Sequence, residues 1–104
     1  MRRSGNRPVP FRLLYHPLVL RQDLPTLHPD VKARLRRALR ERVALQPAHY
    51  GKALRGTLKG LWSLRVGDYR IIYTIDEDDI LVLRIGHRRE VYRSASRRSP
   101  TAQE

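Results

Sequence analysis

The stretch that decides the fold runs from Leu61 to Tyr92, LWSLRVGDYRIIYTIDEDDILVLRIGHRREVY. Its alternating apolar and polar residues predict three consecutive antiparallel strands, over 61–66, 69–76 and 80–86. Gly67-Asp68 joins the first two, and a glycine leading a two-residue loop favours a type II′ turn. Counting outward from that turn, Val66 faces Tyr69, Arg65 faces Arg70, Leu64 faces Ile71 and Trp62 faces Tyr73. Side chains alternate between faces, so Trp62, Leu64, Val66, Tyr69, Ile71 and Tyr73 share one apolar face. Arg65 and Arg70 then stand opposite each other on the second face. Like charges so placed repel, and an anion bound between them would relieve the repulsion. The pair points to a phosphate site.

The next turn carries the acidic run Asp76-Glu77-Asp78-Asp79. A three-residue loop over Glu77–Asp79 would pair Ile75 with Leu81, Tyr73 with Leu83 and Ile71 with Ile85, and set Arg84 beside Ile72. A two-residue loop would instead oppose Arg84 to the core residue Ile71, so the three-residue register is expected. It gathers Arg65, Arg70 and Arg84 on one face.

Upstream, Pro10–Tyr15 reads as a first strand and a first helix begins at Pro17, with Pro25 limiting it. Pro29-Asp30 opens a second helix whose Val31, Leu35, Leu39 and Val43 recur every four residues. Arg34, Arg36, Arg37, Arg40 and Arg42 fill the rest of its surface, and Gln46-Pro47 closes it. Residues 48–60 form a loop with Lys52, Arg55 and Lys59. The order is α+β: a strand, a two-helix hairpin, then a three-stranded antiparallel meander, with the helices packed on one sheet face. Residues 10–92 make the domain, between a disordered basic arm over 1–9 and a disordered tail over 93–104.

The 104 residues carry 22 Lys and Arg against 10 Asp and Glu, a formal +12. The ends contribute +3 (Arg2, Arg3, Arg7) and +2 (Arg93, Arg97, Arg98 against Glu104), which leaves +7 on residues 10–92. A basic folded body suits a polyanionic partner. With no Cys, disulfide and thiolate–metal chemistry is excluded. His16, His28 and His49 lack ligand spacing, and the acidic turn lacks the glycine and spaced ligands of a calcium loop, so no metal or cofactor is expected. No segment approaches the roughly 20 apolar residues of a membrane span, and Arg12, His16 and Pro17 break any signal-peptide core. A cytoplasmic location is expected.

The motifs RVGDYRIIY and VLRIGHRREVY, behind a strand and two helices, resemble the RelE/ParE superfamily of type II toxins, and the RelE branch more than the gyrase-directed ParE branch. The likeness covers about Phe11 to Tyr92. It implies a metal-independent endoribonuclease that cuts mRNA in the ribosomal A site, inhibits translation and is neutralised by a cognate antitoxin. In RelE-like ribonucleases the arginine of the GxYRxxY strand, an arginine after the last strand and a nearby tyrosine take part in cleavage. Here these positions are Arg70, Arg88 or Arg89, and Tyr92. Some members place two lysines on the strand before the hairpin, where this chain has Leu61 and Ser63. The resemblance then passes their load to Arg65, His87, Lys52 or Lys59. The alternatives are a ParE-like toxin that blocks DNA gyrase without catalysis, and an inactive relative that only binds RNA or antitoxin.

Cleavage by the 2′-hydroxyl needs a proton acceptor, a proton donor for the leaving 5′-oxygen, and positive charge on the phosphorane. Guanidinium suits the charge role, and imidazole suits either proton role. The candidate catalytic set is therefore Arg70, Arg65, His87, Arg88 and Tyr92. Lys52, Arg55, Lys59, Arg84 and Arg89 are candidates for RNA contact. The antitoxin is expected to carry an acidic segment.

Overall fold

A computed structural model describes residues 10–95, 97 and 98. The arm over 1–9, position 96 and the tail over 99–104 lie outside the described residues. The elements run β1 (Arg12–Tyr15), α1 (Val19–Asp23), α2 (Pro29–Ala38, continued by a wider turn over Leu39–Val43), α3 (Pro47–Tyr50), β2 (Lys52–Ala53), a 3-10 turn (Gly56–Leu58), β3 (Trp62–Val66), β4 (Tyr69–Asp76), β5 (Asp79–His87) and α4 (Val91–Ala95). The five strands form one sheet in the order β1-β5-β4-β3-β2. β1 lies parallel to β5, and the other pairs are antiparallel.

The four-residue spacing of Val31, Leu35, Leu39 and Val43 overshoots a helical turn of 3.6 residues. Over Leu39–Val43 the helix takes up the overshoot with a wider turn, closed by Ala44 N–H donating to the Leu39 carbonyl at 2.8 Å. The stripe thus stays on the core, and Leu35, Leu39 and Val43 are all buried. The helix starts cleanly, with Pro29 in its first turn and the His28 Nδ1 accepting from the Asp30 N–H at 3.1 Å. Against it pack Leu64, Val66, Ile71, Tyr73, Ile80, Val82 and Ile85 from the sheet.

The β3–β4 register is the expected one throughout, with Arg65 opposite Arg70. Gly67 has φ 61, the value a type II′ turn asks of its first residue. The β4–β5 turn corrects the expectation. Its loop has two residues, Glu77 and Asp78, so Asp76 pairs with Asp79, Ile75 with Ile80 and Tyr73 with Val82. A β-bulge then absorbs Leu83, and beyond it Ile72 pairs with Arg84 and Ile71 with Ile85. In a regular hairpin, loop length and register are one choice. An inserted residue uncouples them.

Two further corrections concern the sheet's cover. The loop over 48–60 contributes a short edge strand, β2, paired to β3 at Trp62 and Ser63. The second sheet face is not left bare: α4 lies on it, and Ile72, Val91 and Ala95 form a small second core with Leu54, Leu61 and Tyr92. Residues 93–95 thus belong to a helix, where a tail was expected, because Val91 and Ala95 one turn apart have an apolar seat on Ile72.

Tyr73 shows how tightly the first core is built. Its hydroxyl donates to the Pro47 carbonyl at 2.7 Å, and burial raises the phenol well above its ordinary range. Gly51 makes room for it, since a Cβ there would come within 1.9 Å of the Tyr73 hydroxyl oxygen.

Candidate functional site

Residues paired across antiparallel strands project to the same face, so the register lays out the second sheet face directly. One row holds Lys52, Ser63, Ile72 and Arg84, and the next holds Arg65, Arg70 and Gly86. Above the first row stands Tyr92 of α4, its hydroxyl 3.0 Å from the Ser63 Oγ. Lys52 is exposed beside it, so β2 brings a lysine into the row where Ser63 itself offers no charge.

The hairpin end of the face is where the arginines meet. Arg65 is exposed, and Arg70 curls over the turn, donating through one terminal nitrogen to the Gly67 and Tyr69 carbonyls at 2.9 Å each. Carbonyl acceptors leave its charge intact. Past β5 the chain is tied to the same turn, because the Arg88 N–H donates to the Asp68 carbonyl at 2.8 Å. The Arg88 side chain runs toward the Asp68 carboxylate, 3.9 Å away. Arg65, Arg70 and Arg88 thus share one end of the sheet, with the exposed Asp68 beside Arg88.

The other five candidates lie outside this cluster. His87 pairs with Tyr69 and lies on the helix-side face, its ring edge-on to Tyr69 at 5.8 Å and 77°. Its Nδ1 accepts from the Arg89 N–H at 3.2 Å, which leaves Nε2 to carry the proton. A strand residue cannot reach both faces, so His87 is separated from Arg70 by the sheet itself. Arg55 and Lys59 sit in the loop leading into β3, at the end away from the hairpin. At roughly 3.3 Å per strand residue they are more than 10 Å from Arg65. Arg84 has the expected face but not the expected freedom. It ion-pairs with Asp23 at 2.8 Å, donates to the Ser94 Oγ at 2.6 Å and to the Ile85 carbonyl, and its side chain is 14% exposed. Arg89 is exposed in the turn after β5.

Sequence reasoning passed over Asp23 and Arg98. Asp23 follows Val19 by four residues and precedes Leu27 by four, within the apolar stripe of the first helix. An acid in that register was the available signal. Among the described residues no cluster of three or more His, Asp or Glu is placed to hold a metal, and no helix is long and apolar enough to cross a membrane.

Fold and site together define a small basic α+β protein with an arginine cluster on the sheet face opposite its main helices. Residues 14–92 match the family described as the ParE toxin of the type II toxin-antitoxin system parDE, and the chain belongs to that family, within the RelE/ParE superfamily of toxins. It is similar to the toxin RelG of Mycobacterium tuberculosis, 36% identical over 75 residues that cover 70% of this chain and 86% of the relative. It is also similar to the toxin RelE of the same organism, 43% identical over 49 residues, or 45% of this chain and 50% of the relative. The crystal structure of the toxin–antitoxin complex RelBE2 from M. tuberculosis superposes with a TM-score of 0.72 at 31% identity, covering 79% of this chain and 95% of that one. A conserved Helicobacter pylori protein solved in solution shares the fold, with a TM-score of 0.58 at 21% identity, 77% of this chain and 97% of that one.

Proposed function

We propose that this toxin is a metal-independent endoribonuclease that cleaves ribosome-bound mRNA, and so stops translation in the cytoplasm. The observation that carries the reading is the convergence of Arg65, Arg70 and Arg88 at the hairpin end of a face that also presents Tyr92 and Lys52. Cleavage starts when the 2′-oxygen adjacent to the scissile bond attacks phosphorus. Charge then builds on the equatorial oxygens, where Arg70 and Arg65 supply fork-shaped donors and Arg88 closes the third side. As the bond to the 5′-oxygen breaks, that oxygen takes a proton, which the Tyr92 hydroxyl on this face can donate. Lys52 holds a flanking phosphate.

The proton acceptor for the 2′-hydroxyl is the missing part. His87, the natural choice by chemistry, faces the helices. A ribosome that orients the mRNA and its own functional groups would complete the site, which makes cleavage ribosome-dependent. The arginines of α2 extend the basic surface around the β3 edge: Arg34, Arg37 and Arg42 line a cleft of about 480 Å³ together with Arg65. That surface suits ribosomal RNA, or the acidic segment of a cognate antitoxin, the partner that family membership and the RelBE2 likeness support.

Primer extension on a defined mRNA, with programmed ribosomes in one lane and naked transcript in the other, tests this. Cuts within the A-site codon only in the ribosome lane are the expected result. The ParE description of the matched family favours one other reading, a non-catalytic block of DNA gyrase. Inhibited supercoiling with intact mRNA would establish that reading instead.

A further inference from the structure

Asp23 is a buried carboxylate, its side chain 3% exposed, and the cleavage chemistry makes no use of it. It sits where the sheet runs out. β1 pairs with β5 only as far as Val82, where the His16 N–H takes the Val82 carbonyl. Beyond that point no strand among the described residues lies beside the outer edge of β5. The Asp23 Oδ2 accepts from the Ile85 N–H at 3.0 Å, and Arg98 donates to the Leu83 carbonyl at 2.9 Å. A carboxylate and a guanidinium thus occupy the seat of the missing strand. They are joined by two bonds of 2.7 and 3.0 Å, with Arg84 on the carboxylate at 2.8 Å.

Each cation of this network also holds the C-terminal segment. Arg84 donates to the Ser94 Oγ on α4, and the Arg98 N–H donates to the carbonyl of Ala95, the last residue of α4, at 3.1 Å. Tyr92, two residues before Ser94, points to Ser63. A helix of five residues does not set its own orientation, because so short a helix is unstable alone. The apolar seat of Val91 and Ala95 on Ile72 holds it to the sheet, and the ties at Ser63, Arg84 and Asp23 fix how it is turned there. We propose that Asp23 and Arg98 are positioning residues: their buried ion pair, with Arg84, fixes α4 so that the Tyr92 hydroxyl stands over the arginine-bearing face. The proposal rests on the ribonuclease reading above and adds to it a residue pair remote from the phosphate.

The test is a double-mutant cycle. Single-turnover cleavage on programmed ribosomes is measured for wild type, Arg98→Ala, Tyr92→Phe and the double variant, with amide hydrogen exchange recorded on each. Arg98→Ala should slow cleavage on the order of 10- to 10²-fold, the scale expected when a reacting group is displaced by about 1 Å. It should also speed exchange across α4 while leaving β4 protected. In the Tyr92→Phe background the same change should cost less than about twofold, because the two residues act as one unit. Asp23→Asn should behave like Arg98→Ala; if it does not fold, Arg98→Ala still decides, since Arg84 continues to neutralise Asp23. An equal loss in both backgrounds overturns the proposal, as does a loosened α4 with unchanged cleavage. A wild-type chain that cuts no ribosome-bound mRNA would defeat the ribonuclease reading itself. That failure is recognisable because the α4 exchange difference would persist without it.

Discussion

Arg70 and Arg84 leave the same face of adjacent strands, two positions apart along the sheet, and end in opposite conditions. Among the described residues Arg70 donates to carbonyl oxygens alone, and it keeps its charge at the hairpin end. Arg84 turns over Gly86, where a Cβ would press to 2.9 Å of its guanidinium, and gives its charge to the buried Asp23. The face therefore has an open half, where the proposed phosphate site lies, and a structural half, and the dividing factor is whether a buried carboxylate lies within reach. A guanidinium left beside other guanidinia is poised for an external anion. One matched by an internal acid is cement.

Substitutions can break this division or sharpen it. The largest expected effect is from Asp23→Ala, which strands Arg84 and Arg98 in a buried site. Removing one partner from such a pair costs about 3–5 kcal/mol, so the denaturant midpoint should fall steeply. A loss under about 1 kcal/mol would mean the network is solvated and the structural half does not exist. Arg70→Ala should do the reverse. Cleavage should drop about 10²- to 10³-fold, the scale of losing one preorganised donor to a developing oxyanion, with the melting temperature nearly unchanged. A variant that still arrests growth would remove Arg70 from the site.

Tyr73→Phe probes the helix-side core as a reference. It leaves the Pro47 carbonyl without its donor and should cost about 1–3 kcal/mol with no specific effect on cleavage per folded molecule. The smallest effect concerns acid. Burial above all, then the charge of Arg98, holds the His16 imidazole below its ordinary 6.5, with Asp23 opposing. Because the folded value lies below the unfolded one, the neutral ring's contribution is complete above pH 6.5 and is lost as pH falls below it. Unfolding midpoints compared at neutral pH and near pH 5 should show this loss. The loss should shrink in Arg98→Ala; an unchanged acid loss there would separate His16 from the network.

Much of this was legible in the chain. The Gly67-Asp68 turn set the β3–β4 pairing by counting, and with it the Arg65–Arg70 opposition, because a two-residue loop leaves one register open to the flanking apolar residues. The four-residue stripe of α2 identified its buried face. The motifs on β4 and after β5 carried the family resemblance, and the matched family agrees with it. Other features were hidden for identifiable reasons. The bulge at Leu83 leaves no mark in an apolar run, where an extra leucine on a strand buried on both faces looks like any other. His87 was grouped with Arg70 by its neighbours in sequence, although strand alternation sends it to the other face.

What the sequence determined by itself is what short-range rules govern: strand periodicity, turn chemistry, a helix's apolar stripe, and the excess of positive charge. Those rules act between residues a few positions apart, so a linear reading suffices. Which arginines stay available was decided only by the tertiary structure. Asp23, Arg84 and Arg98 come from three separate parts of the chain, and their attraction is strong only where folding excludes water. The low-dielectric edge that joins them exists once β1 stops short on β5 and α4 closes over Ile72.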